Sequence, residues 1–278
     1  MVVKIGVAKA GNIGISPVIE LLLDERADRE NIDVRVVTSG AKLGPEQCEE
    51  VAKKILEFQP QLVIFLSPNA GLPGPSKARE IFAEAKVPTI IISDAPGKKA
   101  VEDIEAKGQG YFILMADSMI GARRPFLDPI EMALFNAQIL TVLAITGTLS
   151  TVYLEIDKVI EQIEKEEAPT LPRIVVNKNT SIANAQFSNP YAKIKAMAAF
   201  EICKSVAGVN VKGCFQTKGR ENYMPIVGSA HEMMREAMLL ADQAREIEKY
   251  GNTVLRRPHD TDGKILSKRD FIAKPEKA

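Results

Sequence analysis

Hydrophobic residues in the first part of the chain fall into short, nearly continuous apolar runs, which is typical of strands that are buried on both faces. Five such runs occur, at residues 2–8, 32–37, 61–67, 88–93 and 110–116. Amphipathic segments of helical periodicity separate them, and several of these begin with a proline in the first turn. Ser16 is predicted as the N-cap of the first of these helices. This alternation predicts an α/β fold with a five-stranded parallel, doubly wound sheet.

From Asp128 onward the apolar positions follow a helical period instead. Helices are predicted at residues 128–146, 148–167, 189–208 and 229–250, and a lone strand at 172–177. Asp262-Gly263 lies between two short apolar runs, which predicts a hairpin turn. We therefore predict an α/β domain at residues 1–127, a helical-bundle domain at 128–250 and a short β-hairpin extension at 251–278.

The segment from Met132 to Leu154 contains no charged residue and is long enough to span a bilayer. It also contains several polar residues, among them Asn136, Gln138 and Thr146. We therefore favour two helices that break near Gly147 and are buried in the core or against another subunit.

The overall composition is that of an ordinary globular protein. Among 278 residues, 36 are Lys or Arg and 36 are Asp or Glu, so no charge excess indicates a nucleic-acid partner. Cys48, Cys203 and Cys214 are far apart, which argues against a zinc site, an iron–sulfur site or a disulfide framework. The chain begins directly with a strand and shows no signal peptide, which favours the cytoplasm.

The loop after the first strand, residues 9–14, does not fit a nicotinamide-binding fingerprint. Aligned on Gly11 and Gly14, the first of three required glycines is replaced by Lys9. The second strand ends without the acidic residue that would hold a ribose. The two glycines either free backbone N–H groups for an anion at a helix N-terminus or serve only the packing of a tight turn, and this loop alone does not decide between them.

All five predicted strands end in segments rich in small and polar residues, whereas the opposite edge of the sheet has ordinary surface chemistry. Because ligands bind at the carboxyl ends of parallel strands, this asymmetry predicts a ligand with a flat body and anionic parts. Basic residues that follow these loops are candidates for its anionic groups, although each is also consistent with plain surface. They are Lys77, Lys98, Lys99, Arg123 and Arg124.

Asp94 and Asp117 follow the fourth and fifth strands at this edge. Each is either a polar anchor for a heterocycle or a helix N-cap, and capping is the commoner role. We favour the anchoring role for Asp117, because Ser118 and Gly121 already supply cap and turn chemistry. His231, near the start of a predicted helix, and His259, in the tail, lack the partners that a catalytic triad or a zinc site requires.

Several long segments resemble one archaeal family, the deazaflavin-dependent methylenetetrahydromethanopterin dehydrogenases, and the resemblance covers essentially the whole chain. The segments are VAKAGNIGISPVIELLLDERADRE at 7–30, LSPNAGLPGPSKARE at 66–80, SDAPGKKA at 93–100, ADSMIGARRPFLDPIEMALFNAQ at 116–138 and NPYAKIKAMAAFEICKSVA at 189–207.

The resemblance implies a reversible hydride transfer from methylenetetrahydromethanopterin to coenzyme F420, a deazaflavin, within methane formation from carbon dioxide. It implies that F420 is a dissociable co-substrate, that no metal or bound flavin takes part, and that the chain forms a homo-oligomer, a hexamer built from dimers. The two ligands carry the electronic part of the reaction, so the protein mainly orients them and no catalytic side chain is required.

We expect both ligands to bind in a cleft between the α/β domain and the helical domain. F420 would lie over three loops of the α/β domain, and the pterin would lie on the helical side, near a predicted polar loop at residues 181–189. The predicted F420-binding residues are Ala10, Gly11, Asn12, Ile13, Gly14, Ser67, Pro68, Asn69, Ala70, Gly71, Ser93, Asp94 and Pro96. The predicted pterin-binding residues are Asp117, Ser118, Arg123, Asn184 and Gln186, of which Asp117 also has a possible electrostatic role.

Two other functions are compatible with the strand pattern. A non-catalytic flavodoxin-like module leaves the second half of the chain unexplained, and a receiver domain of that type would need clustered acids where Ala8-Lys9-Ala10 stands. The second alternative is a nicotinamide-dependent dehydrogenase or another enzyme on the same fold. A test of which cofactor is reduced distinguishes it from the F420-dependent hydride transfer.

Overall fold

A computed structural model describes residues 1–124 and 126–277. The strands are β1 (Val3–Lys9), β2 (Ile32–Thr38), β3 (Leu62–Ser67), β4 (Thr89–Asp94), β5 (Gly110–Leu114), β6 (Arg173–Val176), β7 (Leu266–Ser267) and β8 (Glu276–Lys277). The first six form one sheet in the order β2–β1–β3–β4–β5–β6, and each adjacent pair is parallel. The predicted doubly wound sheet is confirmed. The segment predicted as a lone strand is β6, which extends the sheet beside β5.

Helices connect these strands on both faces of the sheet. They are α1 (Ile19–Leu23), α2 (Pro45–Leu56), α3 (Pro73–Glu84), α4 (Val101–Ala106), α5 (Pro129–Ile145), α6 (Thr148–Glu164), α7 (Lys178–Ala185), α8 (Pro190–Val211) and α9 (Arg220–Tyr250). Short 3₁₀ segments at Ser16–Val18 and Ala95–Ala100 precede α1 and α4, and a π-helical turn at Lys212–Gln216 follows α8.

Two apolar layers cover the sheet, because alternate side chains of each buried strand point to opposite faces. On one face, Val63 and Phe65 of β3 pack with residues of α2, α3 and α4. On the other face, Ile64 belongs to a larger cluster that includes Phe135 of α5, Val152 of α6 and residues of α8 and α9. The sheet and the helices after Asp128 therefore share one core, and the predicted boundaries at residues 127 and 250 stay predictions.

The uncharged segment from Met132 to Leu154 forms two helices, as predicted. They break at Gly147, whose φ of 89° places it in the left-handed region that glycine adopts readily. In the described part of the chain no single helix is long and apolar enough to cross a bilayer. Helices α5 and α6 together meet that requirement, but they are bent by 66° relative to each other.

Two predicted helix ends are wrong, and tertiary packing explains why. Helix α8 runs through Gly208 to Val211, and α9 begins at Arg220 rather than at residue 229, so Pro225 lies inside it. A proline inside a helix costs about 3 kcal/mol. The buried stripe of α9 from Val227 to Ala244 offsets such local costs by packing against the core.

Two further local predictions fail. The predicted polar loop at residues 181–189 contains the end of helix α7, which Gln186 closes in a left-handed conformation. Ser16 does not cap a helix; its hydroxyl donates to the Ile13 carbonyl within the turn. The hairpin turn at Asp262-Gly263 is present, because His259 pairs antiparallel with Ile265 across it.

Candidate functional site

At the crevice between β1 and β3, the helices that follow the two strands leave toward opposite faces of the sheet. Helix α1 leaves β1 on one face, and α2 and α3 cover the other face. In sheets of this type ligands bind outside the carboxyl ends of the strands at such a switch point. The loops touch there, since a Cβ added to Gly11 would lie 3.1 Å from Cδ of Pro68. The β3 and β4 loops are joined as well, because the Ala70 N–H donates to Oγ of Ser93 at 3.0 Å.

Asp117 fastens the loop after β1 to the end of β5. The N–H of Gly14 donates to Oδ1 at 3.0 Å, and the N–H of Ile15 donates to Oδ2 at 2.9 Å. Burial raises the pKa of this carboxyl to about 6, although the two N–H bonds by themselves lower it. The carboxylate of Asp117 therefore occupies the position in this loop that we had considered for the anionic group of a ligand.

The remaining N–H groups at the start of this loop are also used. Those of Ala10 and Gly11 donate to the carbonyl oxygens of Leu66 and Lys42. The N–H groups of Gly11 and Gly14 themselves are therefore not free for a ligand. Nζ of Lys9, at the end of β1, donates a hydrogen bond to the Gly40 carbonyl in the loop after β2. Burial lowers the pKa of Lys9.

Asp94 lies beside Asp117 but is bonded differently. Its side chain is buried, and Oδ1 has no hydrogen-bond partner among the described residues. Burial, followed by the nearby charge of Asp117, raises the pKa of Asp94 well above its usual value. Both effects favour the neutral form of this carboxyl over the ionised form.

A narrow cleft lies between Asp94 and the helical layer. It is lined by Asn12 and Gly14 of the β1 loop, by Asp94, by Ser118 and by Phe135 of α5. Its cavity volume is about 20 Å³, which is room for about one water molecule. Met132, Phe135 and Asn136 line it at helical spacing on the first turns of α5. The sequence had led us to expect this helix in the core or against another subunit.

The loop after Asp117 is held by α8 and by the turn that follows it. The Ser118 hydroxyl donates to the Cys203 carbonyl, and Nδ2 of Asn210 donates to the Met119 carbonyl at 2.7 Å. The Arg123 guanidinium donates to two carbonyls of the turn after α8 and stacks on Tyr223, with 4.5 Å from Cζ to the ring centroid. Arg123 therefore has a structural role in this chain besides any contact with a ligand.

His231 lies close to this cleft, in the middle of α9 rather than near the start of a helix. Its Nδ1 is 2.6 Å from Oε1 of Glu131, and its ring centroid is 4.7 Å from that of Phe135. Its Nε2 has no partner in the described chain, and neither has Oδ1 of Asn210; a Cβ added to Gly121 would lie 3.0 Å from the first atom and 2.6 Å from the second. The sequence offered no signal for this group, because its members are far apart along the chain.

Buried polar atoms without a partner are concentrated in this region. Six such side-chain atoms occur in the described chain. Four of them, on Ser67, Asp94, Asn210 and His231, lie at the carboxyl edge of the sheet or in the helices above it. Since buried polar groups in native proteins are normally hydrogen-bonded, this concentration indicates a place where a ligand or water completes the bonding.

Asn184 and Gln186 do not join the predicted pterin site within one chain. Nδ2 of Asn184 donates to Oγ1 of Thr151, and Gln186 lies beside Ile145 at the far end of α5. From Asn136 in the cleft to Ile145, α5 rises roughly 13 Å. Within one chain the two residues therefore lie apart from Asp117, because the segment predicted as a loop is a helix packed on α6. Their assignment to the pterin stays a prediction.

Among residues 1–124 and 126–277 there is no cluster of three or more His, Cys, Asp or Glu side chains that could hold a metal ion. The three cysteines are free thiols, and Cys48 and Cys203 are buried.

Comparison with known proteins supplies the wider context. A sequence model of methylene-5,6,7,8-tetrahydromethanopterin dehydrogenase matches residues 3–276. The F420-dependent methylenetetrahydromethanopterin dehydrogenase of Archaeoglobus fulgidus is 60% identical over 99% of this chain and 100% of its own length. The enzyme of the same name from Methanothermobacter marburgensis is 55% identical over the same shares.

A solved structure has the same fold along the whole chain. It is an F420-dependent methylene-tetrahydromethanopterin dehydrogenase in complex with methylene-tetrahydromethanopterin and coenzyme F420. It matches with a TM-score of 0.96 and 48% identity, over 99% of this chain and 100% of that one. The chain therefore belongs to the methylene-5,6,7,8-tetrahydromethanopterin dehydrogenase family.

Proposed function

We propose that this chain transfers a hydride reversibly between methylenetetrahydromethanopterin and coenzyme F420, giving methenyltetrahydromethanopterin and reduced F420 in methane formation from carbon dioxide. The observation that carries the proposal is the match to relatives named for this activity along the whole length of both chains. The cleft at the carboxyl edge, with its unpartnered polar atoms, supports the same conclusion.

The deazaflavin of F420 is assigned to the surface formed by the β1, β3 and β4 loops, at residues 10–14, 67–71 and 93–96. Two unpartnered buried atoms support this assignment, Oγ of Ser67 and Oδ1 of Asp94. The pterin is assigned to the adjoining side of the cleft, by Asp117, Ser118 and Arg123 and the first turns of α5.

In this reaction the protein mainly has to orient the two ligands. The methylene carbon loses a hydride, and the two neighbouring nitrogens of the pterin stabilise the resulting cation. The protein holds the donor carbon against the acceptor ring, which converts an encounter in solution into a step within one complex. The buried Asp117 carboxylate adds a fixed negative charge that stabilises the developing cation.

The reaction is tested by mixing the protein with oxidised F420 and methylenetetrahydromethanopterin. We expect the visible absorbance of F420 to fall only when both the pterin and the protein are present. The control replaces F420 with a nicotinamide cofactor. Reduction of the nicotinamide, or no F420 reduction under any condition, would contradict the proposal.

The chain is further proposed to act in the cytoplasm as a homo-oligomer, a hexamer built from dimers. Apolar side chains on the outer faces of α5 and α8 support an assembly, because Ile130 is 69% exposed and Ile194 is 59% exposed. Light scattering after size-exclusion chromatography tests this. A mass near 30.4 kDa, that of one chain, would contradict it.

A further inference from the structure

Asp94 is the one titratable side chain among the described residues that line the cleft. Asp94 is only 4% exposed, and its Oδ1 has no hydrogen-bond partner in the described chain. The walls around it include Ile13 and Phe135, which provide no hydrogen bond. A buried carboxyl oxygen left in this state is costly unless something in the cleft completes its bonding.

The charges around Asp94 favour its neutral form. Asp117 accepts two backbone N–H bonds, which is the arrangement of an ionised carboxylate, and a second ionised carboxylate beside it is disfavoured. No neighbouring cation compensates on the adjacent elements: Nζ of Lys9 is directed to the Gly40 carbonyl, and Lys98 and Lys99 are exposed. The nearest carboxylate of α5, Glu131, is bonded to His231.

We propose that Asp94 is the proton donor and acceptor that accompanies hydride transfer in this chain. The inference rests on the proposed function and adds a catalytic residue to a reaction that orientation alone had explained. A neutral carboxyl in an apolar cleft can donate its proton directly or through the single water for which the cavity has room.

The step balances in atoms and electrons. In the direction that forms the methenyl product, the methylene C–H bond breaks and the hydrogen leaves with both electrons to the deazaflavin. The pterin is oxidised and keeps one positive charge, and the deazaflavin is reduced. The reduced ring also takes one proton at the nitrogen conjugated to the carbon that received the hydride. The Asp94 O–H bond breaks to supply that proton, and water then reprotonates the carboxylate; the reverse reaction retraces these steps.

The first test needs no ligand. Infrared difference spectra of the whole protein are recorded across a pH titration, for the wild type and for Asp94→Asn. We expect a protonated-carboxyl band at neutral pH that disappears in the variant. The matched control is Asp242→Asn on exposed α9 surface, which should keep the band. Absence of the band from the wild type at neutral pH would overturn the proposal.

The second test is kinetic. Asp94→Asn keeps the shape of the side chain but has no transferable proton, so we expect kcat to fall about 10²- to 10⁴-fold while KM for each ligand changes far less. Asp242→Asn should behave as wild type. A kcat for Asp94→Asn equal to that of the wild type would overturn the inference and leave the proposed function intact. A wild-type protein that does not reduce F420 would overturn the proposed function instead.

If Asp94→Asn does not fold, Asp94→Glu takes its place in the infrared test. It keeps the proton donor on a longer side chain. A shifted protonated-carboxyl band supports the proposal, and a spectrum identical to that of the wild type contradicts it.

Discussion

At the level of single residues, the Asp117 carboxylate connects two segments that are 103 residues apart. We expect Asp117→Asn to lower the free energy of unfolding by about 1–3 kcal/mol, because the amide replaces one acceptor with a donor that faces a backbone N–H. Urea unfolding at pH 7 measures the change, with Asp242→Asn as the exposed control. Equal stability of Asp117→Asn and the wild type would show that the two N–H bonds contribute nothing.

The buried Asp94 makes stability depend on pH with a defined sign. Folding raises the pKa of Asp94, so above the unfolded value of about 4 the folded chain binds more protons than the unfolded one. Stability therefore falls as pH rises above that value. Asp117, with its pKa raised to about 6, acts in the same direction.

Substitution of Asp94 with asparagine removes its share of this dependence. We expect Tm of Asp94→Asn to exceed that of the wild type by a larger amount at pH 8 than at pH 4. Thermal unfolding at both pH values is the measurement. A Tm difference that does not change between pH 4 and pH 8 would mean that Asp94 is ionised in the folded chain.

The limits of sequence reasoning are visible at these same residues. The ligand edge could be predicted, because small and polar residues after apolar strands are a local feature of the sequence. The partners of the two acids could not, since Gly14 and Ile15 meet Asp117 only once β1 and β5 are in one sheet. For the same reason the sequence did not associate His231 with Glu131, or Asn210 with Gly121.

At the level of elements, the break between α5 and α6 depends on one backbone conformation. Gly147 has φ of 89°, and an added Cβ would lie 2.7 Å from the backbone nitrogen of Ala185. We expect Gly147→Ala to lower Tm by several degrees, because both the left-handed conformation and the contact with α7 become strained.

Gly208 provides a matched comparison, since it lies within α8 and an added Cβ meets nothing within 4 Å. Gly208→Ala should therefore raise stability by about 0.5–1 kcal/mol through helix propensity. Thermal unfolding of both variants makes the comparison. Equal effects of the two substitutions would contradict this account of the break.

Element types were more predictable than element ends. Strands buried on both faces have an apolar pattern that local reasoning detects, and β6 was found as a strand although its partner was not. Gly208 stands at a predicted helix end and Pro225 lies inside α9, and both residues have poor local helix propensities. Packing of α8 and α9 on the shared core outweighs those propensities, and a sequence does not show how strongly a segment will be packed.

For the whole molecule, the C-terminal extension is attached to the body by a buried ionic network. Nδ1 of His259 is 2.7 Å from Oε2 of Glu25, and Nε2 is 2.8 Å from Oδ2 of Asp157. Arg29 donates to the other oxygen of Asp157 at 2.9 Å. The network therefore joins the tail to the segment after α1 and to the middle of α6.

The attachment should weaken as pH rises. Burial by itself lowers the pKa of His259, but its bonds to Asp157 and Glu25 outweigh burial and the nearby Arg29, so the pKa is raised. The stabilisation from a raised histidine pKa is fully present below the unfolded value of about 6.5, and it is lost as pH rises through the folded value. Above that value the neutral imidazole can donate to only one of the two carboxylates.

Hydrogen exchange of residues 251–277 at several pH values, corrected for intrinsic exchange rates, measures this attachment. As pH rises through the folded pKa of His259, we expect protection of the tail to fall. The total loss should be about tenfold for each pH unit by which folding raises that pKa. In His259→Gln, the protection should be low and independent of pH. Amides of α9 between Met234 and Ala241 lie in the core and serve as the internal control. A tail whose protection is independent of pH in the wild type would show that His259 is neutral throughout, and that hydrogen bonds rather than charge hold the extension.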